Sequence, residues 1–177
     1  MISIPRRKLV IAAGALALSR TVLAQTCGKL TEPQTPGPFF KPASPQRSVL
    51  SGKKALVVTG LVLSPQCRPV PNALLDFWHA DEAGEYDNAG FAFRGHQFTD
   101  AQGRWRLETV VPGEYPGRAR HLHVKVQAPG RRILTTQLYF PDEPLNRRDG
   151  LFDPVLLVAL RREGGAAQAR YDFVLRG

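Results

Sequence analysis

Short runs of valine, leucine and aromatic residues, each bounded by turn residues, constrain the fold of this chain more than any other feature. They occupy residues 55–63, 73–80, 96–110, 121–128, 133–140, 155–160 and 169–175. Runs of this length, with almost no helical periodicity between them, predict strands. Because the third run contains a hairpin turn, we expect about eight strands in an all-β, two-sheet antiparallel β-sandwich of the immunoglobulin or transthyretin type, with long loops.

The segment before these runs, residues 25–52, is rich in proline and includes the stretch TEPQTPGPFFKPASP. Proline removes a backbone donor and fixes φ, so this density excludes a helix or a central strand. We expect an extended N-terminal arm that packs through Phe39 and Phe40 on a single domain formed by residues 53–177.

The first 24 residues have the layout of a signal peptide. A basic start precedes an apolar run at residues 9–18, and small residues precede a cleavage point near Ala24. The run is shorter than the roughly 20 residues that span a bilayer, so we expect no membrane anchor. The pair Arg6-Arg7 favours twin-arginine (Tat) export over an ordinary secretory signal. The mature chain is therefore expected in the periplasm or outside the cell.

The two cysteines, Cys27 and Cys67, favour a disulfide in such an oxidising compartment. The bond would close a loop of about 40 residues and stabilise the fold by about 3–4 kcal/mol. Sequence does not give the Cα separation that the bond requires, so the pairing stays open at this point.

The charge pattern argues against a nucleic-acid partner. The formal net charge is +9, but the basic residues occur as scattered doublets such as Arg131-Arg132, Arg147-Arg148 and Arg161-Arg162. A nucleic-acid-binding surface concentrates its basic residues on one face or stripe, whereas scattered doublets are typical of a solvated surface.

The sequence HLHVKV contains the first candidate metal ligands. Side chains alternate along a strand, so His121 and His123 project from the same face, about 7 Å apart along the chain. Two imidazoles so placed can bind one ion. The spacing alone is equally compatible with two partly exposed polar residues on a strand surface.

Two tyrosines lie at predicted strand ends. Tyr115 is part of the stiff loop PGEYPG that leads into the HLH strand, and Tyr86 follows the turn at Gly84. A free phenol has a pKa of about 10, so only a strongly Lewis-acidic ion keeps two phenolate ligands near neutral pH. Structural zinc sites prefer cysteine and histidine. Two tyrosines with two histidines therefore indicate Fe(III).

Four longer segments occur in order: CGKLTEPQTPGPFF, CRPVPNALLDFWHADEAGEYD, FRGHQFTDAQGRWRLETVVPGEYPGRARHLHVKV and TQLYFPDEP. Together they resemble the intradiol ring-cleavage dioxygenases, the family of protocatechuate 3,4-dioxygenase and catechol 1,2-dioxygenase. The chain is most similar to the short secreted branch of that family. The resemblance extends over nearly all of the mature chain and is far more specific than one His-x-His pair.

The resemblance implies an Fe(III) enzyme, with one ion per chain, that uses O₂ to cleave a catechol ring between its two hydroxylated carbons and gives a muconate-type diacid. The implied iron ligands are equatorial Tyr86 and His123 and axial Tyr115 and His121, with Tyr115 displaced by the substrate. Arg118 would stabilise charge developing on the ring, and Gln137 would be a hydrogen-bond donor near the same place.

The chain departs from the larger members of the family. It has no long helical N-terminal section, so their mode of dimerisation is not implied. Tyr115 stands only six residues before His121, which indicates a short loop and an open site. The substrate is therefore left open among catechol, protocatechuate, hydroxyquinol and larger phenolics, and so is the oligomeric state.

Two other functions remain as alternatives. A non-catalytic transthyretin-like or carbohydrate-binding β-sandwich would have the same fold, but it would not need all four candidate ligands. A periplasmic zinc or copper carrier could use His121 and His123 alone, and the identity of the bound metal distinguishes it from an iron enzyme.

Overall fold

The computed structural model describes residues 28–51, 53, 55–163 and 166–176, and strands dominate this part of the chain. The strands are β1 Leu56–Leu63, β2 Leu74–Trp78, β3 Arg94–Phe98, β4 Arg104–Thr109, β5 His121–Gln127, β6 Leu134–Tyr139, β7 Ala159–Glu163, β8 Ala166–Arg170 and β9 Phe173–Val174. Two single-turn 3-10 helices, Pro144–Arg147 and Pro154–Leu156, lie between β6 and β7. The all-β prediction is confirmed.

The strands form two sheets. One has the order β4-β1-β8-β7, with β9 also paired to β1, and the other has the order β3-β2-β5-β6. The pairings are antiparallel except that β8 and β9 run parallel to β1. The predicted two-sheet sandwich is confirmed, and these two parallel pairings depart from a purely antiparallel arrangement.

The core lies between the inner faces of the two sheets. Alternate residues of β1 and β4, among them Leu56, Val58 and Leu107, are fully buried against Leu75 and Leu122 of the other sheet. Each fully buried side chain of this size stabilises the fold by about 1.5–3 kcal/mol. The apolar residues that alternate along these strands therefore lie on the inner faces of the two sheets.

The outer face of the β3-β2-β5-β6 sheet is also buried at one end, although its residues are largely polar. Fully or almost fully buried there are Trp78, His121, His123, Gln137 and Tyr139. The outer face of a sandwich normally faces water. Here the N-terminal arm covers it, since Gln34 N donates to the Thr135 carbonyl at 2.8 Å.

One predicted strand is wrong. Residues 155–160 were expected to be extended, but Pro154–Leu156 forms a 3-10 turn and β7 begins only at Ala159. Proline at the first helical position fixes φ for a helical turn, and Asp153 caps it by accepting from Val155 N at 3.0 Å. The predicted strand at residues 169–175 is likewise divided between β8 and β9.

Several predictions fall on residues outside the described part of the chain. The signal peptide at residues 1–24 and Cys27 both lie there, so cleavage near Ala24, export and the Cys27–Cys67 bond stay predictions. Cys67 itself is described and is not a free thiol. No helix among the described residues is long and apolar enough to cross a membrane.

Candidate metal centre

The two histidines at the start of β5 face each other. His121 Nε2 and His123 Nε2 are 3.0 Å apart, and both side chains are almost fully buried. The His121 Nδ1–H donates to the Ala119 carbonyl at 2.6 Å, which leaves the lone pair on Nε2. The alternation of the strand thus brings both Nε2 atoms to one point on the outer face of the sheet.

Burial keeps both imidazoles neutral. It lowers the pKa of His121 to about 4, although the hydrogen bond to Ala119 opposes the shift. Burial, followed by the neighbouring His121, holds the pKa of His123 well below its usual value. Both rings are therefore unprotonated at neutral pH, which is the state in which imidazole binds metals.

His123 is held between a strand neighbour and the N-terminal arm. Trp78, its partner in the register of β2 and β5, stacks on it with ring centroids 4.8 Å apart. On the arm, a Cβ atom added to Gly37 would lie 3.5 Å from His123 Cε1, and the φ of Gly37 is +66°. A glycine therefore gives the arm a close approach to this ring.

The two candidate phenol ligands lie beside the histidines. The Tyr86 ring centroid is 6.1 Å from that of Tyr115 and 6.3 Å from that of His123. Phe39 of the arm stacks on Tyr86 at 4.3 Å and contacts Tyr115 edge-on at 5.4 Å. Burial raises the pKa of Tyr86 to about 12, against the opposing charges of Arg118 and Arg94.

The loops that carry the two tyrosines dock through a pair of glycines. Gly113 N donates to the Asp81 carbonyl at 2.7 Å. A Cβ atom on Gly84 would lie 2.0 Å from the Glu114 carbonyl oxygen, and one on Gly113 would lie 2.3 Å from Gly84 N. The two loops share the sequence Gly-Glu-Tyr, at residues 84–86 and 113–115. That repeated tripeptide is the sequence signal by which the contact could have been found.

Replacing Gly84 with alanine is expected to lower the free energy of unfolding by about 2–5 kcal/mol. The new Cβ would overlap a backbone carbonyl at 2.0 Å, and the φ of +88° is unfavourable for any L side chain. Urea denaturation followed by circular dichroism measures the change. The control is Gly150→Ala, where no atom lies within 4 Å of the added Cβ; equal stability of the two variants would contradict the docking described above.

Arg118 lies between Tyr115 and His121 in the chain, and a buried carboxylate fixes its side chain. Its Nε donates to both oxygens of Asp149, at 2.9 and 3.0 Å, and the Asp149 side chain is fully buried. Its backbone N donates to the Tyr115 carbonyl at 2.8 Å. This shared Nε contact, together with the hydrogen bonds from Nη2 to Gln137 and Tyr139, fixes the guanidinium in one orientation. Sequence reasoning missed Asp149, which lies 31 residues after Arg118.

Gln137 completes this hydrogen-bonding group. Its Oε1 accepts from Arg118 Nη2 at 2.6 Å and from the Tyr139 hydroxyl at 3.1 Å, and its Nε2 donates to the Thr35 carbonyl at 3.0 Å. Gln137 pairs with His123 in the register of β5 and β6. All six residues singled out by the sequence therefore lie at one end of one sheet.

The remaining histidines have other partners. His79 is buried with its Nδ1 2.6 Å from the Ala80 carbonyl and its Nε2 2.8 Å from the Thr109 hydroxyl. His96 Nδ1 lies 2.7 Å from the Ser44 carbonyl. The described residues contain no group of three or more His, Cys, Asp or Glu side chains that could hold a metal ion. A metal at this site therefore needs the two phenols as well as the two imidazoles.

The donor set fits a hard trivalent ion. Two nitrogens bound side by side to one ion at about 2.1 Å are about 3 Å apart, and the observed Nε2–Nε2 separation is 3.0 Å. Phenolate oxygen is an anionic ligand that needs a strongly Lewis-acidic metal. The two phenols and two imidazoles therefore suit Fe(III) better than zinc, since structural zinc sites are typically built from cysteine and histidine.

Comparisons of the sequence and of the structure with known proteins both find dioxygenases. A family model described as "Dioxygenase" matches residues 46–177. The protocatechuate 3,4-dioxygenase beta chain of Burkholderia cepacia is 35% identical over 152 residues, which cover 69% of this chain and 64% of that protein. The hydroxyquinol 1,2-dioxygenase of Nocardioides simplex is 29% identical over 96% of this chain and 74% of its own length. The chain thus spans less than two thirds of the first of these relatives.

A solved structure is similar over most of both chains. It is the dioxygenase domain of a dioxygenase–carbohydrate-binding protein fusion from Streptomyces sp. SirexAA-E, which is 54% identical. The alignment covers 84% of this chain and 99% of that domain, with a TM-score of 0.82. The sequence and the fold of this chain are therefore both similar to those of that dioxygenase domain.

Proposed function

Because this chain belongs to the intradiol ring-cleavage dioxygenase family, we propose that it uses one Fe(III) ion to cleave a catechol-type ring with O₂ between the two hydroxylated carbons. The product would be a muconate-type diacid. The observation that carries the proposal is the convergence of two neutral imidazoles and two phenols beside a fixed guanidinium.

The proposed iron ligands are Tyr86, Tyr115, His121 and His123. When bound, Fe(III) would supply the Lewis acidity that keeps phenolates and the catechol deprotonated and makes the ring reactive towards O₂. Contacts within the protein orient the two histidine ligands. The Ala119 carbonyl fixes the tautomer of His121, and stacking on Trp78 fixes the ring plane of His123.

Tyr115 would give way to the substrate, as the family resemblance implies. Its ring has only an edge contact with Phe39, at 5.4 Å, whereas Tyr86 is stacked on the same ring at 4.3 Å. Tyr86 is thus the more firmly packed of the two. On leaving, the Tyr115 phenolate oxygen would take up a proton from one catechol hydroxyl.

Arg118 would bind the substrate and the negative charge that develops on it. Its Nε and Nη2 are occupied by Asp149, Gln137 and Tyr139, whereas Nη1 forms no hydrogen bond within the described residues. A donor held in place before the reaction stabilises developing charge without reorganisation. Asp149 and Gln137 would therefore act by keeping Arg118 pointed at the ring.

The experiment is oxygen uptake by purified protein against a small panel of catechols, with metal content and visible absorption measured on the same sample. We expect about one iron per chain, a tyrosinate-to-iron band and catechol-dependent uptake. Colourless protein that does not take up iron would contradict the proposal. Zinc or copper on protein purified without added metal would instead favour a metal carrier, and iron without oxygen uptake would favour a non-catalytic module.

A further inference from the structure

A buried arginine joins the N-terminal arm to the loop that carries Tyr86. Arg94, the first residue of β3, is only 2% exposed. Its Nη1 donates to the Phe39 carbonyl at 2.7 Å, and its Nε and Nη2 donate to the Asp87 carbonyl at 3.2 and 3.1 Å. One guanidinium thus binds backbone oxygens from two segments that lie 48 residues apart.

The two bound carbonyls belong to residues that adjoin Tyr86, one along the chain and one through its ring. Asp87 is the next residue in the chain, and Phe39 is the residue whose ring stacks on the Tyr86 ring at 4.3 Å. The position of this phenol is therefore set by its own backbone and by the arm. Arg94 fixes the distance and orientation between these two segments. Its donors lie in one rigid plane, so a movement of either carbonyl would break a hydrogen bond.

The cost of burying this charge indicates a purpose beyond packing. Arg94 forms no direct ion pair with a carboxylate in the described part of the chain; its guanidinium donates to carbonyl oxygens, and the charges of Asp87 and Asp76 act on it without such a contact. A buried cation without a direct ion pair is costly, and an apolar side chain of similar volume often stabilises a fold as well or better. The burial of an arginine here therefore favours a role in positioning its two backbone partners.

We propose that Arg94 is a positioning residue for the metal centre, which fixes the Tyr86 phenol by tying its loop to Phe39 of the arm. This inference rests on the proposed function, since it assumes that Tyr86 binds iron. It assigns the N-terminal arm a part in metal binding. The arm segment Gly37–Phe39 and the Tyr86 loop then act as one unit whose geometry Arg94 maintains.

The same loop offers a matched control. Lys41 Nζ donates to the carbonyls of Ala89 and Gly90 at 2.7 and 3.1 Å, and lies 4.5 Å from the centroid of the Phe91 ring. Like Arg94, Lys41 is a cation that binds the backbone of this loop. Unlike Arg94, it binds the end of the loop that is farther along the chain from Tyr86. The variants Arg94→Gln and Lys41→Gln each remove one cation that binds this loop from outside it, from β3 and from the arm.

The test measures iron affinity by chelator competition, the tyrosinate-to-iron band, and thermal unfolding of the iron-free protein. We expect Arg94→Gln to weaken iron binding by about 10–100-fold, as loss of a residue that orients a ligand does, and to shift or weaken the band. Arg94→Lys should also bind iron less tightly, because one ammonium cannot reproduce the fork. Lys41→Gln should stay within about twofold of the wild type in iron affinity.

Three results would overturn the inference. Arg94→Gln could hold iron with wild-type affinity and an unchanged band, even if its iron-free form melts earlier; Arg94 would then be structural only. Lys41→Gln could lose as much affinity as Arg94→Gln. If Arg94→Gln does not fold, wild-type iron affinity in Arg94→Lys decides against the inference. Wild-type protein without any tyrosinate-to-iron band would instead contradict the proposed function itself.

Discussion

His121→Ala protein is expected to be colourless and nearly free of iron, whereas Tyr115→Phe protein keeps most of its iron and turns over slowly. His121 supplies one of only two nitrogen donors, and its Nε2 lies 3.0 Å from that of His123. His121 is proposed to stay bound to the ion throughout the reaction, so its removal weakens iron binding in every state of the enzyme. Tyr115 is the ligand proposed to leave during the reaction, so its loss should reduce kcat more than iron content.

The control for His121→Ala is a histidine that is equally buried but lies outside the proposed set. His79 is 1% exposed and hydrogen-bonded to Ala80 and Thr109. His79→Ala should lower the free energy of unfolding by about 1–3 kcal/mol while the folded protein keeps its iron. Iron content by elemental analysis and the visible spectrum distinguish the loss of a ligand in His121→Ala from the loss of stability alone in His79→Ala. If His121→Ala retains iron and colour, the proposed ligand set is wrong.

The second large effect is expected at Arg118. Arg118→Gln should lower kcat by about 100–1,000-fold, the usual loss when a preorganised donor is removed from a developing charge, while iron content and the visible band stay close to wild type. Asp149→Asn should produce a smaller loss of the same kind, about tenfold. The amide keeps the shape of the side chain but removes the charge that strengthens the hydrogen bonds from Arg118 Nε to Asp149.

Arg120→Gln is the matched control for charge. Arg120 lies two residues along the chain and pairs with Glu143 at 3.0 Å on a partly exposed surface. Its substitution removes the same charge and no contact to a proposed ligand side chain; near the centre it loses only the long hydrogen bond from Nη1 to the Pro112 carbonyl, at 3.3 Å, so kcat should change by less than about twofold. Steady-state oxygen uptake and iron analysis on all three variants give the comparison. An Arg118→Gln variant as active as Arg120→Gln would remove Arg118 from the mechanism.

The parts of this molecule that follow a local rule could be predicted from the sequence. Strand alternation places His121 and His123 on one face, and the structure brings their Nε2 atoms within 3.0 Å. The apolar runs gave the correct element type almost everywhere. They failed at residues 155–160, where Pro154 and the cap at Asp153 produce a 3-10 turn despite the apolar composition.

The parts that depend on distant contacts could not be predicted. Asp149 shows no motif, and its importance arises only because the fold brings it to Arg118 from 31 residues away. Arg94 reads as one more basic residue before a strand. The burial of the histidines on an outer sheet face also has no local signal, since it results from the arm crossing that face. Sequence therefore locates the proposed ligands but not the residues that hold them.

The most direct test of the central proposal is cleavage of catechol under ¹⁸O₂ by the iron-loaded protein, with the product identified by mass spectrometry and NMR. The proposed function predicts an acyclic muconate-type diacid that carries two ¹⁸O atoms, one in each new carboxyl group, because the ring opens between the hydroxylated carbons. A ring-opened aldehyde from cleavage beside the hydroxylated carbons would contradict it, and so would iron-loaded protein that leaves catechol and every other member of the oxygen-uptake panel unlabelled and unchanged.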